Sequence, residues 1–180
     1  MGELLGLKWA DIDWIDGTVS VRRQRQYVPG EGCSLIEPKT RSGKRKILIG
    51  EKSLEVLRIH KEKQTEFMKI NSKKWFGMDL VFPNSVGRPG DASNIRLDFN
   101  KIQRVSGLPK IRFHDLRHTE ATLLLNHKIP VIVVSNILGH SKPSVTLDLY
   151  GHVLSDMQQE AAKTMDILIQ KKDNHSLLVA

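Results

Sequence analysis

The sequence is poor in cysteine and in long apolar segments, and both shortages restrict what the chain can be. Cys33 is the only cysteine among 180 residues, so no internal disulfide can form and a reducing compartment is expected. The glycines and glutamate around it do not indicate a catalytic thiol. We find no apolar run long enough for a membrane span and no signal peptide, which predicts a cytoplasmic protein without a membrane partner.

Motifs for cofactors and for common nucleophiles are also missing. The sequence contains no G-x-G-x-x-G, no phosphate-binding P-loop and no nucleophile elbow around a serine, so no cofactor is predicted. Internal repeats are absent as well. The length fits one domain with a substantial core.

Positive charge is the main excess in the composition. Lysine and arginine number 28 against 20 acidic residues, a formal net charge of +8, which favours a polyanionic partner. Much of this excess lies in one segment that has only two acids, and its basic residues are Arg22, Arg23, Arg25, Lys39, Arg41, Lys44, Arg45 and Lys46. Strand signals there predict a rigid ribbon suited to phosphate contacts, with an ordinary solvated surface as the alternative interpretation.

The first third of the chain has the pattern of a helix end followed by antiparallel strands. Gly2 to Trp9 is typical of the last turns of a helix, and Thr18 to Val28 predicts a strand. Leu35-Ile36 and Ile47 to Ile49 flank the turn-like segment Thr40 to Gly43, which predicts a hairpin. We therefore expect a small sheet of about three antiparallel strands.

Helical patterns dominate the rest of the chain. The first predicted helix runs from Glu51 to about Ile70. Its inward residues are predicted to be Leu54, Leu57, Phe67 and Met68. Pro89-Gly90-Asp91 opens a second helix that reaches about Val105.

A third helix is predicted from Phe113 to about Asn126. The next segment, Val131 to Leu138, is so rich in β-branched residues that propensity favours a strand. Pro130 before it and Gly139 after it have the asymmetry of a short helix, and we choose the helix.

The last part of the chain predicts two more helical segments. Ser141 can cap a helix that includes Pro143 and runs towards Tyr150. Residues 155–180 form a carboxy-terminal helix and tail, in which an apolar stripe lies on a polar helix. The stripe consists of Met157, Ala161, Met165, Leu168 and Ile169, and a polar stretch over 171–175 separates it from the apolar tail at 177–179.

Several residues suited to phosphate chemistry occur at suggestive spacings. His114 and Arg117 are three apart on a predicted helix, so they share one face and can address the same phosphate. His140 follows the glycine that ends another helix, and Tyr150 lies ten positions further. A phenol can act as a nucleophile, while an arginine and imidazoles can stabilise charge on a phosphate without a metal.

Together these motifs resemble the tyrosine recombinases, also called phage integrases. The matching segments are Phe113 to Thr119, Leu138 to Ser141 and Tyr150 to His152, in the family's order and at its separations. Gly2 to Asp13 is similar to the family's first box, and Pro38-Lys39-Thr40 resembles its lysine-bearing turn. The resemblance covers nearly the whole chain.

The resemblance implies an α+β fold, mainly helical, in which residues 1–180 form a DNA breaking-rejoining catalytic domain with a small three-stranded antiparallel sheet. It implies that Tyr150 attacks a DNA phosphate and holds the cut strand as a 3′-phosphotyrosine. Arg117, His114 and His140 would stabilise the transition state. Lys39 would protonate the leaving oxygen. Glu3 would orient the site, and the predicted DNA-contacting residues are Arg22, Arg23, Arg25, Arg41, Lys44 and Arg45.

The resemblance also implies partners and a departure from the pattern. The partner is double-stranded DNA, on which such proteins assemble as homo-tetramers through the carboxy-terminal helix, with packing inside one chain as the alternative. The family's first arginine precedes the position of Glu3 by three, which falls before Met1. We therefore expect a bacterial or phage-encoded recombinase piece without its amino-terminal DNA-binding domain, weakly active or inactive.

Other functions are kept open on specific residues. A DNA-binding remnant that cuts no strand is the main alternative. A zinc site is a third possibility, built from His114 and His118, which are four apart, with His140 or Asp115. Asp11 and Asp13 are predicted to be solvated turn residues rather than metal ligands.

Overall fold

A computed structural model of the chain describes residues 1–30, 32–38 and 43–176, with the side chains of 151–160 and 170–176 excepted. The helices are α1 (Gly2–Gly6), α2 (Glu51–Ile70), α3 (Ala92–Val105), α4 (Asp115–Asn126), α5 (Val131–Leu138) and α6 (Pro143–Ser176). The strands are β1 (Ile12–Asp13), β2 (Thr18–Val21), β3 (Gln24–Val28), β4 (Gly32–Ile36) and β5 (Arg45–Leu48). These elements divide between unit 1, Met1–Leu116, and unit 2, Arg117–Ala180.

Unit 1 contains the predicted three-stranded antiparallel sheet, in the order β1-β2-β5, and a separate two-stranded sheet of β3 and β4. The predicted strand Thr18–Val28 is in fact two strands, because the chain leaves the sheet at residues 22–23. The predicted hairpin is wrong in its pairing: β5 pairs with β2, and β4 pairs with β3. Val19 lies opposite Ile47, a β-branched pair that stabilises the observed register.

The core of unit 1 forms where the first strand and α2 pack on the segment after residue 79. Its buried members are Trp9, Ile12, Leu54 and Val81. Helix α2 has the predicted bounds and buries Leu54 as expected. The inward placement of Phe67 was wrong: its side chain is 44% exposed and meets the edge of Trp75 near the end of the helix.

Local capping explains why α3 begins where the sequence predicts. The Asp91 carboxylate accepts a hydrogen bond from the backbone N–H of Ser93 at 2.7 Å, which is an N-cap interaction. The Ser93 hydroxyl, followed by the same backbone N–H, lowers the pKa of Asp91, because both hydrogen bonds favour the charged carboxylate.

Unit 2 packs the greater part of α4 together with α5 and the start of α6. Its buried cluster consists of Ala121, Leu125, Val134, Leu138 and Tyr150. Helix α5 has the predicted bounds. Pro130 precedes it, and Gly139 follows it with a φ of 72°, a left-handed conformation that suits glycine.

Helix α6 is longer than predicted and is interrupted at one residue. It begins at Pro143, two residues after the expected cap Ser141, and its helical backbone continues through residues 171–175. Tyr150 has non-helical dihedral angles, φ −127° and ψ 18°, so two helical segments meet there at a kink. The predicted tail at 177–179 lies outside the described residues.

Among the helices that the structure describes, none combines the length and the apolar character needed to cross a bilayer.

Candidate active site

Arg117 belongs to the first turn of α4, and its side chain reaches the end of α5. Its guanidinium donates a hydrogen bond to the carbonyl of Leu138, the last residue of α5. The side chain is neither fully buried nor fully exposed. This contact ties the arginine to the segment that continues into Gly139 and His140.

His140 is oriented by the turn that follows α5. The left-handed conformation of Gly139 reverses the chain, and the backbone N–H of His140 donates to the Ser135 carbonyl at 3.1 Å. Its Nδ1 lies 2.8 Å from the hydroxyl oxygen of Thr146, a fully buried residue of α6. A buried hydroxyl at this distance fixes the plane of the imidazole.

Tyr150 lies at the kink of α6 with its side chain almost completely buried, 4% exposed. Its hydroxyl oxygen is 2.7 Å from Nδ1 of His118, and the two ring centroids are 6.0 Å apart. Burial raises the pKa of the Tyr150 phenol above its ordinary value of 10.0, and the nearby Arg117 charge opposes this effect only in part. The phenol is therefore protonated at neutral pH.

Sequence reasoning missed the role of His118. It was considered only as a zinc ligand, whereas in the structure it contacts the predicted nucleophile. Its position directly after Arg117 gave no signal of this contact, because consecutive residues of a helix point in different directions. In the described part of the chain, no three His, Cys, Asp or Glu side chains are grouped closely enough to hold a metal ion.

His114 does not lie on the same helix as Arg117, which corrects the sequence prediction. Helix α4 begins at Asp115, and His114 is an exposed residue of the preceding turn. The reason is local: the Asp115 carboxylate accepts the backbone N–H of Arg112 at 2.8 Å and also binds its guanidinium. These bonds stabilise a turn over 112–115 and delay the start of the helix.

Glu3 and Arg45 form a bidentate ion pair in unit 1. Both carboxylate oxygens are bound by the guanidinium, at 2.9 Å and 2.8 Å. The predicted orienting residue thus holds a basic residue of β5. Lys39 lies outside the described residues.

The predicted DNA-contacting residues fall into two groups. Arg22 and Lys44 have side chains that are 64% and 50% exposed. Lys44 pairs with Glu37 at 2.6 Å and lowers the pKa of that carboxyl. Arg41 lies outside the described residues.

The other three arginines are largely buried in ion pairs. Arg23, Arg25 and Arg45 have side chains that are 24%, 12% and 13% exposed, and they pair with Asp11, Asp91 and Glu3 respectively. Each therefore has a structural contact within unit 1.

Asp11 also differs from its prediction, because it is buried rather than solvated. It is 5% exposed, accepts the backbone N–H of Lys8 at 2.9 Å and pairs with Arg23. Asp13 does serve a turn, since it accepts the N–H groups of Ile15 and Asp16.

A mainly helical domain thus holds a half-buried arginine, an oriented imidazole and a buried tyrosine, which are groups suited to chemistry on a phosphate. Residues 1–157 match the sequence profile of the phage integrase family, and the chain belongs to that family. The predicted family and fold class are thereby confirmed.

Relatives support this assignment at the level of sequence. A protein named tyrosine recombinase XerC-like, from Caldanaerobacter subterraneus, is 34% identical over an alignment of length 179, and the match covers 93% of this chain and 46% of that protein. The ICEBs1 integrase of Bacillus subtilis is 29% identical and is matched over 93% of this chain and 45% of its own length. The chain thus spans about half the length of these curated relatives.

A solved structure supports it at the level of fold. The Tn1549 transposon integrase in complex with transposon right end DNA has a TM-score of 0.75 and 26% identity to this chain. The match covers 92% of this chain and 54% of that one.

Proposed function

We propose that the chain is the catalytic part of a site-specific DNA recombinase of phage or mobile-element type. The observation that carries the proposal is the placement of Tyr150 in one compact unit with Arg117 and His140. Arg117 is close enough to Tyr150 for its charge to act on the phenol. The family and the DNA complex of the Tn1549 integrase support double-stranded DNA as the partner. Chromosomal or mobile-element DNA in a bacterial cytoplasm is the proposed substrate.

The proposed reaction exchanges one phosphodiester for another. The hydroxyl oxygen of Tyr150 attacks the phosphorus, the bond from phosphorus to the 5′ oxygen breaks, and the DNA strand remains as a 3′-phosphotyrosine. Lys39 gives a proton to the departing 5′ oxygen. A 5′-hydroxyl of another strand then reverses the step, and the covalent bond conserves the energy without ATP.

Charge stabilisation in this reaction is assigned to Arg117, His114 and His140. A guanidinium carries five N–H donors, enough to hold the Leu138 carbonyl and a phosphate together. Since Nδ1 of His140 faces Thr146, its Nε2 is the nitrogen assigned to a phosphate oxygen. Glu3 acts indirectly, by holding Arg45.

A nicked DNA substrate tests the proposal, because cleavage releases a short strand and traps the covalent adduct. We expect an adduct on a denaturing gel with the unchanged chain and none with Tyr150→Phe. Tyr27→Phe is the matched control, since Tyr27 is the only other tyrosine and is 64% exposed. An adduct that persists in Tyr150→Phe would contradict the proposal.

A DNA-binding piece that does not cleave is the second candidate, and it is supported by the exposed basic side chains of Arg22 and Lys44. Detectable adduct with the unchanged chain excludes that candidate.

Helix α6 is the proposed contact with other copies of the chain on DNA. Met165, Leu168 and Ile169 are each more than half exposed, so these three members of the predicted stripe lack the burial that packing within one chain would produce. Removing residues 171–180, or introducing Leu168→Lys, is expected to reduce assembly on DNA in analytical ultracentrifugation. Unchanged assembly in both variants would contradict this contact.

A further inference from the structure

His114 lies in a short turn that is closed by the residues on either side of it. The Asp115 carboxylate accepts the backbone N–H of Arg112 at 2.8 Å, and the Asp115 N–H donates to the Arg112 carbonyl at 2.9 Å. The Arg112 guanidinium also reaches both oxygens of this carboxylate, with its closest approach at 2.8 Å. Residues 112 and 115 are therefore joined through backbone and side chains.

The residue before His114 anchors the same turn to α3. The ring of Phe113 meets the ring of Phe99 edge-on, with the ring centroids 5.4 Å apart. Both phenylalanines are partly buried, whereas His114 is exposed. An exposed side chain gains little orientation from packing, so the backbone of the turn largely decides where the imidazole points.

The residues of this turn could instead form part of α4. Arg112, Phe113 and His114 include no glycine or proline, and their intrinsic helix propensities are ordinary. The sequence alone predicts a helix that begins at Phe113, two residues before the observed start at Asp115. Because side-chain direction follows the backbone conformation, a helical His114 would point its imidazole elsewhere.

The hydrogen bond to the backbone, rather than the ion pair, is the contact that keeps the turn out of the helix. The Arg112 side chain is 80% exposed, and an ion pair at such a surface contributes little. A carboxylate that binds the backbone N–H three residues earlier competes directly with a helical conformation of that backbone.

We propose that Asp115 is a positioning residue for His114, and that it acts through its hydrogen bond to the backbone of Arg112. The inference rests on the proposed function, in which His114 stabilises charge on a phosphate oxygen. In this role Asp115 contacts neither the phosphate nor the tyrosine. Its carboxylate holds the turn outside α4, and the turn directs the exposed imidazole.

Two substitutions of Asp115 separate the hydrogen bond from the ion pair. Asp115→Ala removes both contacts, and adduct formation on the nicked substrate should fall by on the order of 10², the effect of a small misplacement of a reacting group. Asp115→Asn keeps an oxygen that can accept the Arg112 N–H, so its rate should fall by no more than about fivefold. Asp98→Ala is the control, since Asp98 is an exposed acid of α3. Equal rates in Asp115→Ala and Asp98→Ala overturn the inference, as do equally low rates in Asp115→Ala and Asp115→Asn.

A double-mutant cycle shows whether Asp115 acts through His114. If it does, Asp115→Ala should cost almost nothing further in a chain that already carries His114→Ala. A general loss of structure would instead slow the chain by the same factor with or without His114. Multiplication of the two rate losses in the double variant therefore overturns the inference.

A measurement without DNA separates failure of this inference from failure of the proposed function. Carbon-13 chemical shifts of the Cα atoms of Arg112, Phe113 and His114 report whether their backbone is helical. These shifts should move towards helical values in Asp115→Ala and stay in place in Asp115→Asn. Identical shifts in Asp115→Ala and the unchanged chain overturn the inference even if adducts form, whereas absence of adduct from the unchanged chain overturns the proposed function.

Discussion

Tyr150 combines burial in a core cluster with a non-helical backbone inside a long helix. The kink separates the two helical segments of α6 and places the ring against α4. Burial raises the pKa of the phenol and keeps it protonated, so the proposed role of Tyr150 as the nucleophile requires that proton to leave. At this scale, packing and chemistry depend on the same side chain.

The raised pKa of Tyr150 predicts a stability change at high pH. The unfolded chain releases this proton near pH 10, whereas the folded chain holds it to a higher pH. Stability from Tyr150 is therefore complete below about pH 10 and is lost as the pH rises through the folded-state pKa. Urea unfolding between pH 8 and pH 11 should show a steeper loss for the unchanged chain than for Tyr150→Phe. Parallel curves for the two proteins would show that the phenol is not perturbed.

The hydrogen bond between Thr146 and His140 predicts an effect on rate with little effect on fold. Thr146→Val keeps the shape of this fully buried side chain but removes the hydroxyl that orients the imidazole. A hydrogen bond contributes about 1 kcal/mol, so cleavage should slow on the order of tenfold. Thr146→Ser keeps the hydroxyl and should retain most of the rate. Equal cleavage rates for the two variants would contradict an orienting role for the Thr146 hydroxyl.

At the scale of elements, the buried pair of Asp11 and Arg23 explains why β2 and β3 are separate strands. The guanidinium turns inward to a carboxylate whose side chain is only 3% exposed, and the backbone leaves the sheet there. Asp11→Ala leaves this arginine without its partner and is expected to lower the free energy of unfolding by about 3 kcal/mol. Asp16→Ala, which removes an exposed carboxylate paired with Lys46, is the control and should change it little. Chemical denaturation of the two variants checks the difference.

Elements with local signals could be predicted from the sequence, and elements that depend on distant contacts could not. Asp91 and Gly139 mark helix ends through hydrogen bonds to neighbouring residues, so α3 and α5 were predicted closely. The pairing of β5 with β2 depends on residues far apart in the chain, and propensity carries no information about such partners.

The candidate site follows the same division. Its residues could be predicted because the family's motifs occur in order. The contacts between those residues could not be predicted. His118 and Tyr150 are 32 positions apart, and Glu3 and Arg45 are 42 apart. Only the fold brings these side chains together, and Asp115 shows how one local turn displaces a predicted helix start.

At the scale of the whole molecule, the net charge of +8 favours DNA, but not every basic residue contributes equally. Arg22 and Lys44 are the exposed predicted contacts, whereas Arg23, Arg25 and Arg45 are largely buried in their ion pairs. Replacing both exposed residues by alanine should lower the slope of log affinity against log salt by about 1.8, at about 0.9 for each phosphate contact. The control replaces Lys52 and Lys69, two exposed lysines of α2. A slope that changes equally in both double variants would show that no specific surface is used.

The most direct measurement of the central claim is mass spectrometry of the trapped adduct after digestion with nuclease and trypsin. Trypsin separates the two tyrosines, because residues 26–39 hold Tyr27 and residues 129–163 hold Tyr150. We predict a nucleotide attached through its 3′-phosphate to Tyr150 in the second peptide. A nucleotide on Tyr27, on a serine or on a histidine would contradict the account.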